Sequence, residues 1–178
     1  MTVKAFYQQE LNNSDVAELC AFASSNKDWI HIKQRHHGME YQNVRAARID
    51  PDTRIMAFIR GCFLHFNDSF FQYDLFGSCE AQLLKYGPGC HYDWHADYGV
   101  SERPDGDRKL SLSIQLSAAW DYNGGEVVIR DWYNREQYVA KDIGSVSVFD
   151  SRCPHKVLPI IDGERIAIVA WAHGPQLR

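Results

Sequence analysis

The segment His91-Tyr92-Asp93-Trp94-His95-Ala96-Asp97 alternates ligand-type side chains, and another histidine, His155, stands near the C-terminus. On a strand, residues i and i+2 project to one face. Either His91 with Asp93 or His95 with Asp97 can therefore present an imidazole nitrogen and a carboxylate oxygen to one ion. A distant histidine on a neighbouring strand completes a set of two imidazoles and one carboxylate. Such a set occupies one face of an octahedron and leaves the other positions open, the arrangement expected of a non-haem Fe(II) centre that handles O₂. Spacing alone does not choose between the two overlapping pairs, and a lone His-x-Asp is also common on solvated surfaces.

His155 lies between a β-prone run, Ser145 to Asp150, and a Val-x-Pro turn, where a side chain can be aimed into a barrel. Ten positions later Arg165 opens the run Arg165 to Ala172, whose two faces are both largely apolar. A guanidinium buried there demands an anionic partner. The partner is either a protein carboxylate or the far carboxylate of a bound diacid, whose oxygens an arginine fork matches. Cys153, two residues before His155, raises a Cys–His nucleophile pair as an alternative. That chemistry needs an orienting group and an oxyanion hole, and the sequence shows neither.

The elements that must carry these residues divide the chain unevenly. The first third reads as helical. Asn13 or Ser14 caps a helix with Val16, Leu19, Cys20 and Ala23 on one face. A second helix takes Asp50 as N-cap and Pro51 in its first turn, then repeats Ile55, Phe58, Ile59, Cys62, Phe63 and Phe66 at core spacing. From Phe70 onward the texture is of short β-prone runs between turn residues: FFQYDLF, AQLLKY, HYDWHAD, KLSLSIQLSA, EVVIR, QYVAK, SVSVFD and RIAIVAWA. Runs of this kind predict an antiparallel double-sheet barrel with the helices on one outer face. Within KLSLSIQLSA, Leu110, Leu112, Ile114 and Leu116 take one side, and Ser111, Ser113, Gln115 and Ser117 the other. That polar face meets either solvent or a wet pocket. The loops Tyr98 to Arg108 and Asp131 to Glu136 are either lids and substrate grips or plain connections.

Composition bounds the function. A chain of 178 residues with 45% hydrophobic and 24% charged side chains is one domain's worth of globular sequence. The formal charge of −4 speaks against a nucleic-acid partner. Lys33, Arg35, His36, His37, Arg45 and Arg48 form a local basic stretch that reads as a solvated loop. No apolar run approaches the roughly 20 residues of a membrane span, and no secretory leader is visible, so a cytoplasmic protein is expected. The five cysteines are odd in number and lack CxxC spacing, which favours reduced thiols.

Several motifs in fixed order resemble the 2-oxoglutarate- and Fe(II)-dependent dioxygenases, in their prolyl-4-hydroxylase-like branch. They are Asp74-Leu-Phe-Gly77, then Tyr86-x-x-Gly89-x-x-Tyr92-x-x-His95-x-Asp97, then Gly124-Gly125-Glu126, Gly144 to Asp150, and His155 with Arg165 and Trp171. The likeness covers about Asn67 to Gly174, and the pattern DLFG…KYGPG…DWHAD is similar to that of bacterial PKHD-type hydroxylases. In that family the Tyr-x-x-Gly leader precedes the metal pair, which selects His95 and Asp97.

The resemblance implies a double-stranded β-helix (jelly roll, cupin-like), mainly β with flanking helices, in a single domain 1–178. Its helical part would span about 1–67 and its jelly-roll core about 68–174. It implies Fe(II) on His95, Asp97 and His155, with 2-oxoglutarate and O₂ as cosubstrates and ascorbate as an optional reductant. Arg165 and Tyr86 would take the C5 carboxylate, while Trp171 and Tyr92 would wall the pocket. Ser113 and Gln115 would face inward. Collagen-type relatives usually place Lys where this chain has Arg165, and PKHD-type relatives usually continue further beyond the position of Trp171.

The expected substrate is a prolyl residue of a protein or peptide, with a small molecule such as a free amino acid as the alternative. A nucleic-acid demethylase on the same fold usually carries a second arginine after the clamp, where this chain has Ala167, Val169 and Trp171. A cupin-like metal-binding module without turnover is the non-enzymatic alternative. The sequence does not address oligomeric state.

Overall fold

The computed structural model describes residues 5–32, 35–36, 39–40, 44–99 and 106–176. In chain order the elements are β1 (Phe6–Glu10), α1 (Asn13–Ser25), β2 (Ile30–Ile32), β3 (Arg35–His36), β4 (Met39–Glu40), β5 (Val44–Arg48) and α2 (Arg54–Phe66). A π-helical turn (Asn67–Phe71) leads into β6 (Cys79–Tyr86), β7 (Tyr92–His95), β8 (Gly106–Gln115), β9 (Tyr122–Gly124) and β10 (Val127–Arg130). The rest are β11 (Glu136–Tyr138), β12 (Ser145–Asp150), β13 (His155–Val157), β14 (Ile160–Gly163) and β15 (Arg165–Pro175).

A seven-stranded sheet in the order β1-β12-β8-β15-β6-β5-β2 faces a four-stranded sheet in the order β11-β10-β13-β7, and the strand pairs within both are antiparallel. Contact between the inner faces is direct, the Phe149 ring of β12 lying 4.8 Å from that of His155 on β13. This is the jelly-roll architecture expected. The period of two does the sorting. Leu110, Leu112 and Ile114 of β8 join Val146, Val148, Ile168 and Ala170 on the outer face of the large sheet, under Ile59, Phe63 and Phe66 of α2. The opposite face of β8 carries Ser111, Ser113 and Gln115, also buried, and looks into the barrel. The polar strand face therefore lines a pocket. Ile59 is fully buried at the centre of the outer layer. Ile59→Ala is expected to cost about 2–5 kcal/mol, read as a lower denaturant midpoint at unchanged slope.

The N-terminal third is less helical than its composition predicts. β1 pairs with β12 and β5 pairs with β6, so both belong to the large sheet. The alanines of Val44-Arg-Ala-Ala-Arg48 favour a helix locally, but a free sheet edge and a buried face outweigh that preference. Helix starts also shift. Asn12, not Asn13 or Ser14, caps α1 by accepting from Asp15 N at 3.0 Å. Thr53 caps α2 through Met56 N, while Asp50 and Pro51 form the preceding turn. The stretch FFQYDLF is not a strand. Asn67 clasps Tyr73 through two 2.9 Å hydrogen bonds, Gln72 turns left-handed at φ 56°, and Phe70 and Phe71 pack on Tyr7.

Asp131 closes the β10–β11 connection by accepting from the backbone N–H groups of Tyr133 and Arg135, each at 2.9 Å, so that segment is a tight hairpin turn. Of the other loop, residues 100–105 lie outside the described residues. So do Lys33 and His37 of the basic stretch.

Candidate active site

Register brings the two histidines together. β13 runs antiparallel to β7 with His155 opposite His95, and their ring centroids are 4.1 Å apart. Asp97 follows β7 and is pinned by its backbone N–H donating to Ser151 O at 3.0 Å. Among the described residues, His95, Asp97 and His155 are the one group of three or more ligand-type side chains close enough to share an ion, their ligand atoms lying within 4.8 Å of one another. His91 and Asp93 lie outside it. His91 turns back to Gly89 O at 3.2 Å, and exposed Asp93 accepts from Trp94 N at 2.7 Å.

Each imidazole is oriented from behind. His95 Nδ1 faces Asp93 O at 2.8 Å, and His155 Nδ1 faces Cys153 O at 3.1 Å. A carbonyl partner makes Nδ1 the protonated nitrogen and leaves Nε2 as the donor atom. Both Nε2 atoms turn toward Asp97, at 3.7 Å for His95 and 3.5 Å for His155. Burial works to raise the Asp97 pKa. His155 and His95, with hydrogen bonds from Ser111 and Trp171, outweigh it and hold the carboxyl below its usual range. Ser111 Oγ donates to Asp97 Oδ2 at 2.7 Å and lies 2.9 Å from Ser151 Oγ. Cys153 contributes only its backbone carbonyl to this arrangement. Its fully buried thiol, pushed up to about 12 chiefly by burial, points toward Ala5 O and is inert. All five cysteines are free thiols.

Arg165 lies on the inner face of the large sheet, paired with Tyr86 across β15 and β6. It is 1% exposed, and among the described residues it has no carboxylate partner. Its Nε has no hydrogen-bond partner. The remaining contacts are with neutral groups: its guanidinium carbon is 5.3 Å from the Tyr86 ring centre, and the side chain hydrogen-bonds Tyr122. The Tyr122 hydroxyl in turn accepts from Gln115 Nε2 at 2.5 Å. Burial pushes the Tyr86 phenol up to about 12, so it is a neutral donor. Gly125 makes room for this group. A Cβ there would meet Ile160 Cδ1 at 2.3 Å and Arg165 Cδ at 3.4 Å, and its φ is +68°.

Both ends open on one cavity of about 1350 Å³. Tyr86, Tyr92 and Trp171 all line it. Tyr92 meets the site through His95, its ring 3.8 Å from the imidazole. Trp171 sits beneath the Arg108 guanidinium at 4.0 Å and bonds Asp97. Arg108 is held by Glu80 Oε1 at 3.2 Å, and His173 shares that oxygen at 2.9 Å. Sequence reasoning missed Ser111 as the Asp97 partner, the Tyr122–Gln115 pair beside Arg165, and the Glu80–Arg108–His173 group. The strict polar alternation of β8 signalled the first and Gln115, whereas Tyr122, Glu80 and His173 carry no local signal.

A jelly roll with two imidazoles and a carboxylate lining its cavity, and in the same cavity a buried guanidinium with no carboxylate partner among the described residues, defines a class of metal-dependent oxygenase site. The profile of the 2OG-Fe(II) oxygenase superfamily matches residues 81–173, and the chain belongs to that superfamily. Among curated relatives it is similar to a PKHD-type hydroxylase of Shewanella baltica, 28% identical over 152 residues, covering 80% of this chain. The chain spans 66% of that relative's length, just under two thirds. Among solved structures, a Pseudomonas putida prolyl-4-hydroxylase superposes with a TM-score of 0.77 at 23% identity, covering 97% of this chain and 94% of that one. A Trichoplax adhaerens prolyl hydroxylase in complex with a hypoxia inducible factor peptide fragment gives 0.71 at 18%, covering 94% and 84%. At these identities the structures establish the shared fold. No helix among the described residues is long and apolar enough to cross a membrane.

Proposed function

We propose that this chain hydroxylates an unactivated C–H bond with Fe(II) and 2-oxoglutarate, and that its substrate is a prolyl residue in a peptide or protein. One observation carries the reading: a buried arginine without a protein carboxylate shares a cavity with the His95–Asp97–His155 cluster. The residues fit both groups. Two imidazole nitrogens and one carboxylate oxygen suit Fe(II) and leave open positions, and the orphaned Arg165 Nε suits a carboxylate. When bound, the iron supplies O₂ activation and hydrogen abstraction, coupled to oxidative decarboxylation of the keto acid to succinate and CO₂.

The chain's own residues position and shield. Asp93 O and Cys153 O hold the imidazoles with Nε2 forward, and Ser111 and Trp171 aim the Asp97 carboxylate. Arg165, with the neutral Tyr86 and Tyr122 hydroxyls beside it, receives the far carboxylate of the diacid. The apolar wall of Val127, Phe149 and Val157 keeps water from the reacting centre. At about 1350 Å³ the cavity exceeds the roughly 300–1,000 Å³ of a single small-ligand pocket, which leaves room for a substrate segment beside the cosubstrate. The peptide complex of the Trichoplax adhaerens hydroxylase, which shares this fold, supports a peptide in that space.

The test is succinate formation from 2-oxoglutarate with Fe(II) and ascorbate, followed by mass spectrometry of proline-containing peptides for a gain of one oxygen. Absence of iron-dependent succinate release would sink the oxygenase reading. Modification of free amino acids alone would remove the peptide. Ser111→Ala tests the support behind the metal ligands. It is expected to weaken divalent-metal affinity roughly 10- to 100-fold, measured by calorimetry with Mn(II), while the melting temperature of the metal-free protein stays near wild type.

A further inference from the structure

Most charged side chains around the cavity have a place in the site already described or a partner of their own. Arg108 is held by Glu80, which also takes His173. His95, Asp97 and His155 face one another, and Arg165 stands at the cosubstrate end. The Asp50 carboxylate accepts from the Asp52 backbone N–H at 2.9 Å. Arg48 lines the same cavity, is exposed, and among the described residues has no hydrogen bond, ion pair or ring contact.

Its place in the sheet says what it can reach. Arg48 pairs with Gln82, Gln82 with Val169, and Val169 with Ser113, so one inner-face row crosses β5, β6, β15 and β8. The adjacent row runs Glu80, Trp171, Ser111, and Ser111 carries Asp97. Arg48 is thus three strand spacings, roughly 14 Å, across the sheet from β8, whose Ser111 bonds the Asp97 carboxylate. Between them lie the Gln82 amide, with no side-chain hydrogen bond among the described residues, and the apolar Val169. The wall offers one cation, one amide and one apolar surface in sequence, open to a ligand.

We propose that Arg48 anchors an anionic group of the substrate, an Asp or Glu side chain or a terminal carboxylate about two to four residues from the residue that reacts. The separation follows from the sheet. An extended chain advances about 3.3 Å per residue, and the arginine's own length shortens the gap. A free amino acid holds its carboxylate within about one residue, 3.8 Å between Cα positions, of its reacting carbon and does not bridge. The inference rests on the hydroxylase reading and narrows its substrate to a peptide with an acidic flank.

The experiment uses the full chain under anaerobic conditions with Mn(II) and 2-oxoglutarate. Its probes are fluorescein-labelled, C-terminally amidated Ala/Gly peptides, each with one central proline and a single Glu or Gln stepped along either side. Anisotropy is expected to show that Glu at two to four residues on one side binds roughly 10-fold tighter than Gln at the same place. Arg48→Gln should erase that difference, Arg48→Lys should restore part of it, and Arg48→Glu should transfer the preference to a Lys peptide. Equal affinities for Glu and Gln peptides, a preference that survives in Arg48→Gln, or no binding by any peptide overturns the proposal. Succinate release by the wild-type chain without peptide separates the two layers. If it persists, only the anchor is wrong; if it is absent, the hydroxylase reading falls and takes the anchor with it.

Discussion

His155→Ala is expected to reduce 2-oxoglutarate-dependent succinate formation to the detection limit. Loss of a ligand should exceed the roughly 10- to 100-fold cost of losing a group that merely supports one. The substitution acts on a preformed cluster, since His155 Nδ1 is already tied to Cys153 O and its Nε2 already faces Asp97. Binding to the native state alone stabilises it by mass action. Mn(II) should therefore raise the melting temperature of the wild-type chain and leave that of the variant unmoved. His155 lies at the start of the three-residue strand β13, so circular dichroism of the metal-free variant is the control for folding. Wild-type metal response and turnover in this variant would remove the metal assignment from His95, Asp97 and His155 together, because no other such group exists among the described residues.

The second large effect is expected at Arg165, and it has two signs. Truncating one partner of a buried, charge-assisted pair costs about 2–5 kcal/mol, so Arg165→Ala should raise the 2-oxoglutarate requirement roughly 30- to several-thousand-fold. The maximal rate at saturating cosubstrate should change far less, since Arg165 lies at the end of the cavity away from the metal cluster. Stability of the ligand-free protein should move the other way. Among the described residues Arg165 is buried without a carboxylate partner and leaves Nε unpaired, a desolvated charge that works against folding. Arg165→Met keeps much of the volume and removes that charge. Its ligand-free melting temperature is expected to equal or exceed wild type, while the stabilisation conferred by 2-oxoglutarate with Mn(II) disappears. A variant that melts lower yet still responds to 2-oxoglutarate would show Arg165 to be a structural residue.

The strands around these two sites separate what local sequence specifies from what packing adds. Period-two alternation put Ser111, Ser113 and Gln115 on one side of β8 and the leucines on the other. It could not say that the polar side faces inward, because both faces are covered, one by helices and one by the second sheet. The N-terminal third departs from its local preference for a related reason. Ala46 and Ala47 favour a helix by themselves, and only the open edge of β6 makes β5 a strand.

What the sequence determined by itself is the chemistry on offer. It supplied the imidazoles and carboxylates, their i, i+2 spacing, the arginine ten positions after the second histidine, and the apolar stripe of α2, all of which depend on the chain's local geometry. Geometry without the family likeness left two His-x-Asp pairs standing, and two partners for Arg165. Tertiary structure bears on both, through contacts between residues distant in sequence. The register of β13 on β7 sets His155 beside His95, and burial leaves Arg165 with no carboxylate partner among the described residues. Strand register and the absence of a counter-ion are properties of the whole packed barrel, so no local pattern carries them.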